Sequence, residues 1–176
     1  ILMPGQGHPD GVSVVKVKDI RDGAINEDNL LLTSPEIDQE YQRSRLSEND
    51  ILLTIRGSVG RMAVVPPSVN KANITQDTAR ISISTGNPRY FYFYLQSEIP
   101  QRHFSINTLG VAVQGINLSE VRKSPVVIPK SEEQDQMVER IDAVVTKMST
   151  LDQSHGNLQN IRRGLMGDIL CAKGAS

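Results

Sequence analysis

Hydrophobic residues recur at alternating steps of three and four from Glu132 to about Leu170. This spacing is the a/d pattern of a coiled-coil helix, in which one apolar seam faces a partner. At 1.5 Å per residue the helix would be about 55–60 Å long, whereas a compact domain of this size is about 30–35 Å across. We therefore expect the helix to extend beyond the domain and to need another copy or another protein. The predicted seam consists of Met137, Ile141, Val144, Met148, Leu151, Leu158, Leu165 and Ile169, with polar His155 and Arg162 at two intervening seam positions.

Gly156 lies in the middle of this pattern, and residues 154–157 are also compatible with a turn. A helical hairpin would then cover its own seam. A glycine in a helix costs only ~1 kcal/mol relative to alanine, which packing can offset. The favoured prediction is one helix over residues 131–172, and Ser131, three residues before Gln134, predicts a capping box at its start.

Upstream of the helix, short β-branched runs separated by Gly, Pro and Asn predict a β-rich domain over residues 1–130. Ser34 and Asn87 each precede a proline and predict the starts of short helices. The fold class is therefore α+β, with a mixed, β-rich domain followed by one long coiled-coil-type helix. Strands or short extended runs are predicted at 12–18, 29–33, 51–55, 62–65, 79–83 and, bounded by prolines, 125–129.

A glycine- and arginine-rich segment connects the predicted strands 51–55 and 62–65. It contains Arg56, Ser58 and Arg61, with two glycines that permit positive φ angles and close approach of the backbone. Backbone N–H groups and guanidinium side chains in such a turn can bind phosphates or base edges. An ordinary hairpin turn with solubilising arginines is the alternative. The segment is not a nucleotide-binding P-loop, because no Gly-Lys-Ser/Thr follows and the next element is a strand.

Charge is unevenly distributed along the chain, although the formal net charge is only −1. Residues 54–125 hold eight Lys/Arg against three Asp/Glu, a local net of +5. A basic face attracts phosphates, although charges also cluster by chance on solvated surfaces. Asn and Gln pair with adenine in the major groove, but they are common loop residues as well. The further candidates for DNA contact are Lys71, Asn73, Gln76, Arg80 and Arg102.

Six of the seven aromatic residues lie between Tyr90 and Phe104. They are compatible with a base-stacking platform, but their helical spacing favours packing in the core. The sequence from Asn87 to Tyr90 is similar to the Asn-Pro-Pro-Tyr motif of amino-methyltransferases, with Arg89 in place of the second proline. No glycine-rich cofactor loop follows a strand, and no Ser/His/Asp or paired-carboxylate arrangement stands out. We therefore expect no catalytic site and no cofactor.

Composition restricts the cellular compartment of the protein and the kinds of site it can contain. A single cysteine, Cys171, allows no internal disulfide framework. The three histidines are far apart in sequence and have no cysteine at metal-ligand spacing, so we expect no metal site. No long uncharged apolar run and no signal peptide are evident. These features predict a reduced cytoplasmic protein without a membrane span.

Several segments occur together in an order that is typical of one family. In this order they resemble the specificity (S) subunit of type I restriction–modification enzymes, and the resemblance covers nearly the whole chain. Its strongest part is the proline-bounded segment followed by Glu-Gln and a heptad helix. The segments are 50–54, 56–61, 73–76, 114–118, 125–129, Glu133-Gln134 and 161–170.

The resemblance implies a target-recognition domain that binds double-stranded DNA and a long helix that packs against a second one. It implies two partners, a modification subunit that methylates adenine and a restriction subunit that cleaves DNA. The length is that of one recognition domain with one helix. The chain is then either a half-subunit that forms a homodimer through its helix or a fragment of a two-domain subunit.

Two other functions remain as alternatives. The first is a protein-interaction module that acts only through its coiled-coil helix. The second is an enzyme, for which the sequence offers no catalytic constellation. The base sequence that a recognition domain would bind does not follow from the fold, because recognition loops vary freely on one scaffold.

Overall fold

The computed structural model describes residue 8 and residues 10–172, with the surroundings of side chains described through Arg163. The chain separates into two compact units, one ending at Gln134 and the other beginning at Asp135. The first unit contains short strands and short helices, and the second is the continuation of one long helix. The predicted α+β fold class is confirmed.

Eight strands and five α-helices follow one another along the described residues. The strands are β1 (Val12–Val15), β2 (Ile20–Arg21), β3 (Ala24–Ile25), β4 (Leu31–Thr33), β5 (Ile51–Thr54), β6 (Met62–Val64), β7 (Asn73–Ile74) and β8 (Thr78–Ile81). The helices are α1 (Pro35–Glu40), α2 (Pro88–Leu95), α3 (Glu98–Ile106), α4 (Leu118–Val121) and α5 (Ser131–Ala172).

The strands form two three-stranded sheets and one hairpin. In the first sheet β1 lies between antiparallel β4 and parallel β7. In the second, β5 lies between β6 and β8, both antiparallel, and Leu52 pairs with Ala63 on one side and with Arg80 on the other. The hairpin of β2 and β3 closes through Asp22 and Gly23, whose φ angles of 51° and 81° are both positive, as a two-residue Asp-Gly hairpin turn requires.

The core of the first unit lies between these strands. All four residues of β5 are buried, as expected for a central strand whose apolar run is continuous rather than alternating. The core cluster consists of Val15, Ile20, Ile25, Leu46, Leu52, Ala63, Val65, Val69, Ala72 and Ile74.

Both predicted helix starts are present. The Ser34 side chain accepts a hydrogen bond from the Ile37 N–H at 3.3 Å, and the Asn87 side chain accepts one from the Arg89 N–H at 2.9 Å. Each bond satisfies a backbone donor that the first turn of a helix leaves free, and the proline that follows is preset for the helix.

The aromatic helix α2 packs into the core, which confirms the packing interpretation. Tyr90, Phe91 and Leu95 are buried. The Tyr90 hydroxyl donates a hydrogen bond to the Val127 carbonyl oxygen at 2.8 Å. Burial, followed by the charge of nearby Tyr94, raises the pKa of Tyr90 above its ordinary value.

The strand predicted at residues 125–129 is wrong. This segment has no helix or strand and pairs with no strand in the described part of the chain, and Val126, Val127 and Ile128 are 40, 58 and 70% exposed. Prolines at both ends remove backbone donors, and a strand needs a neighbouring strand to bond with.

Helix α5 runs without interruption from Ser131 to Ala172, so the hairpin alternative at residues 154–157 is wrong. Its 42 residues correspond to about 63 Å at 1.5 Å per residue. A Cβ added to Gly156 would meet no atom within 4 Å. The six described seam residues from Met137 to Leu158 are 37 to 66% exposed. Leu165 and Ile169 also belong to α5, but they lie beyond Arg163, the last residue whose side-chain surroundings the structure describes.

The start of α5 differs from the predicted capping box by one residue. Lys130 immediately precedes the helix, and its N–H donates a hydrogen bond of 3.1 Å to the side chain of Glu133 rather than to that of Gln134. Gln134 is buried, and its side chain accepts from the Asn87 N–H at 2.9 Å and donates to the Pro129 carbonyl oxygen at 2.8 Å. The first turn of the helix is thereby fixed within the first unit.

Candidate nucleic-acid interface

The turn between β5 and β6 (residues 56–61, the arginine turn) is held in one conformation by Thr54. The Thr54 hydroxyl, fully buried, accepts a hydrogen bond from the Arg61 N–H at 3.0 Å and donates one to the Ser58 carbonyl oxygen. Backbone bonds join Thr54 N–H to Arg61 O at 2.9 Å and Gly60 N–H to Thr54 O at 3.0 Å. Gly57 and Gly60 have φ angles of 78° and 94°, which favour glycine. The local sequence therefore presents its arginines from a fixed backbone.

A second turn, at residues 75–78, lies beside the arginine turn. The Ile55 N–H donates to the Asp77 carbonyl oxygen at 2.9 Å, and Arg56 Nη1 lies 3.5 Å from Asp77 Oδ1. The Arg56 side chain remains 59% exposed in this ion pair. Gln76 is exposed at the tip of the second turn. Asp77 Oδ1 is buried and accepts no hydrogen bond from the described residues, so Arg56 is its described ionic partner, whereas the exposed part of the Arg56 side chain remains open to a phosphate or base.

A third segment, residues 109–115 (the apolar loop), borders the arginine turn on another side. The Gly57 N–H donates to the Gln114 carbonyl oxygen at 2.8 Å, and the Ile116 N–H to the Ile55 carbonyl oxygen at 2.9 Å. The sequence predicts only a flexible run here. The structure instead closes the loop at its base, where Leu109 and Gly115 exchange two backbone hydrogen bonds of 2.8 Å.

Helix α3, which carries Arg102, lies beside the arginine turn. A Cβ added to Gly60 would lie 3.2 Å from Gln101 Oε1, which places the start of α3 next to the arginine turn. Arg102 follows Gln101 in the chain and is exposed. Within the described part of the protein, neither Arg61 nor Arg102 has a carboxylate partner. Two cations are therefore available to an anionic ligand.

Asn73 does not fit a contact with DNA. It is fully buried, and its side-chain N–H₂ donates to Asp38 Oδ1 at 3.1 Å and to the Tyr41 carbonyl oxygen at 3.3 Å. Its side-chain oxygen accepts from the Ile74 N–H at 2.9 Å. Since the whole amide is used inside the fold, we withdraw Asn73 from the candidate interface.

Lys71 and Arg80 are exposed, but no described contact joins them to the arginine turn. Lys71 borders a separate cleft of about 360 Å³ that also contains Glu27. The Arg80 guanidinium donates to the Arg45 carbonyl oxygen and lies 3.8 Å from buried Asp50. Arg80 therefore already has partners within the fold.

Gln76 and Arg80 both line a larger cleft of about 780 Å³. Its remaining walls are mainly apolar and include Phe91 and Leu118, with Arg122 among the charged lining residues. Gln76 is therefore adjacent both to this cleft and to the arginine turn.

No helix in the described ranges has the length and hydropathy needed to cross a membrane. Residues 8 and 10–172 contain no cluster of three or more His, Cys, Asp or Glu side chains arranged to hold a metal ion.

The arrangement of recognition-type turns on a small mixed domain, followed by a long heptad helix, matches a known class. Residues 11–159 fit the family model of the type I restriction modification DNA specificity domain, and the chain belongs to this family. The resemblance found in the sequence motifs is confirmed.

Individual relatives agree with this assignment. The chain is 31% identical over 159 residues to the Type I restriction enzyme EcoBI specificity subunit of Escherichia coli, a match that covers 89% of this chain and 33% of the relative. The chain thus spans about a third of that relative's length.

Two solved structures share the fold. One is a chain from work on complex assembly and conformational transition of the type I R-M system, with a TM-score of 0.69, 16% identity, and coverage of 90% of this chain and 42% of that one. The other is the HsdS subunit from Thermoanaerobacter tengcongensis, with a TM-score of 0.63, 15% identity, and coverage of 80% and 37%.

Proposed function

We propose that this chain recognises a specific sequence in double-stranded DNA as a non-catalytic component of a type I restriction–modification complex. The observation that carries the proposal is the arginine turn, a rigid and exposed cationic loop in a domain that belongs to a DNA specificity family. Methylation and cleavage would then be performed by separate modification and restriction subunits. Such a complex would act on DNA in the cytoplasm.

The arginine turn offers two kinds of contact. Guanidinium groups form bidentate hydrogen bonds with guanine O6 and N7 or with phosphate oxygens. Arg61 has no described carboxylate partner, whereas Arg56 would contact DNA with the exposed part of its side chain while it stays next to Asp77. The neighbouring Gln76 adds an amide of the type that pairs with adenine. Because Thr54 holds the backbone of the arginine turn, little backbone entropy is lost there on binding.

The test is to replace Arg61 by alanine and to measure binding of a mixed-sequence duplex at several salt concentrations. Loss of a phosphate contact should reduce the slope of log K against log salt by about 0.9. Loss of a base contact should instead cost about 1–3 kcal/mol on the preferred site and relax its sequence preference.

The control is Arg140→Ala, which removes the same charge from an exposed position on α5. It should leave both affinity and salt slope nearly unchanged. If Arg56→Ala and Arg61→Ala both bind like the unmodified chain, the arginine turn is not the interface.

The second part of the proposal concerns α5. We propose that its exposed seam packs against the same helix of a second copy, so that the chain forms a homodimer. The support is the apolar surface of the six described seam residues, which two-stranded heptad packing would bury. A twofold dimer would recognise an inverted repeat, because symmetric proteins bind symmetric sites.

An interaction module that acts only through α5 is the less favoured function. It leaves the arginine turn and Arg61, which has no described carboxylate partner, without a role, and the family match covers the domain as well as the helix.

A further inference from the structure

The tip of the apolar loop exposes aliphatic side chains to an unusual degree. Val111 is fully exposed, and Leu109 and Val113 are 69 and 63% exposed. Single exposed aliphatic residues are common on protein surfaces. Three within five residues form a local apolar patch, which on a soluble domain often marks a contact surface.

This exposure is built into the loop. Leu109 and Gly115 close its base with two hydrogen bonds. Gly110 has a φ angle of 102°, and a Cβ at this position would collide with the Val113 carbonyl group. The local sequence therefore specifies a tight loop that holds Val111 and Val113 away from the core.

The surroundings of the loop indicate the chemistry of its partner. Its backbone is bonded directly to the arginine turn through Gly57 and Gln114. The sequence contains no acidic residue between Glu98 and Glu120. A purely apolar partner would remove the neighbouring arginines from water without compensation. Double-stranded DNA provides phosphates for the cations and, in the major groove, thymine methyl groups for the valines.

We propose that Val111 and Val113 contact thymine methyl groups in the major groove and so contribute to sequence preference beside the arginine turn. This inference rests on the proposed function, since it requires DNA to bind the arginine turn. It adds an apolar component to a site whose other members are cationic or amide side chains.

The test combines protein variants with modified DNA, using the full chain and a duplex selected from a random pool. Each thymine of the selected duplex is replaced in turn by deoxyuridine, which lacks only the methyl group. At one or more positions the unmodified chain should lose affinity by about fourfold, the effect of burying one methyl group. Val111→Ser or Val113→Ser should bind the original duplex more weakly and should lose little more affinity when the same thymine is replaced.

Val127→Ser is the matched control, because Val127 is a comparably exposed valine outside the loop. It should keep the full sensitivity to deoxyuridine. Since Val111 is fully exposed, its replacement should leave the fold intact, which circular dichroism would verify.

The outcomes separate the two proposals. If the unmodified chain prefers a sequence but is insensitive to deoxyuridine at every position, or if both serine variants behave like it, this inference is overturned and the proposed function stands. If the unmodified chain binds no DNA, the proposed function fails and this inference fails with it.

Discussion

Asn73 shows how burial decides the role of a single residue. Its amide bonds to Asp38, Tyr41 and Ile74, and Asp38 in turn accepts hydrogen bonds from Arg45 at 2.9 and 2.5 Å. The hydrogen bond to Asp38 raises the pKa of Arg45 above its ordinary value. This network joins α1 to β7 and to the segment before β5, so its members stabilise the scaffold that carries the arginine turn.

Replacing Asn73 by alanine should lower the free energy of unfolding by about 1–3 kcal/mol, because buried Asp38 and the Tyr41 carbonyl group would lose a donor. Urea denaturation measures this effect. DNA affinity of the folded variant should be unchanged, and Gln76→Ala should show the opposite pattern, with normal stability and weaker DNA binding. A stable Asn73 variant that binds DNA poorly would return this residue to the interface.

The structural setting of some of these residues can be predicted from the sequence and that of others cannot, for a physical reason. Arg56 and Arg61 are recognisable because their setting is local, a glycine turn between two adjacent strands. Asn73 was predicted as a DNA contact because its partner Asp38 is 35 residues away and the sequence does not reveal that contact. Val111, which we propose as a further contact, is not among the sequence candidates because its exposure depends on the tertiary structure; the two glycines at positions 110 and 115 are the available signal.

Elements whose stability depends on their own sequence were predicted well. The period of α5 and the caps at Ser34 and Asn87 depend on neighbours within one or two turns. The segment 125–129 was predicted as a strand although a strand depends on partners elsewhere. The residue that caps α5 was misplaced by one position because buried Gln134 bonds to Asn87, 47 residues away.

Gly156→Ala tests the continuity of α5. The added methyl group meets open space, so the substitution should stabilise the helix by ~1 kcal/mol and raise the midpoint of thermal unfolding followed by circular dichroism. Gly57→Ala is an informative contrast. A Cβ at Gly57 also meets no atom within 4 Å, but the backbone there has a φ angle of 78°, so this substitution should be destabilising. Loss of helicity on Gly156→Ala would contradict a continuous helix.

At the scale of the whole molecule, the candidate DNA interface and the heptad seam lie in different units. The basic middle third of the sequence supplies the candidate DNA interface, and α5 supplies the exposed heptad seam. The two proposals therefore place recognition and assembly in different parts of the chain, and substitutions in one part should affect the other only through the oligomeric state.

Leu151→Glu tests the proposed dimer. Light scattering at micromolar concentration should give twice the mass of one chain for the unmodified protein and the mass of a single chain for this variant, because a charge in the seam opposes its burial. Gln153→Glu adds the same charge away from the seam and should remain dimeric. A monomeric unmodified protein would contradict self-association and point to a different partner for the seam.

The most direct test of DNA sequence recognition is repeated selection of duplexes from a random pool by the full chain, followed by sequencing. We predict that one defined motif is enriched, as an inverted repeat if the dimer forms, and that the enrichment weakens for Arg61→Ala. Retention of DNA without enrichment of any motif would contradict the account.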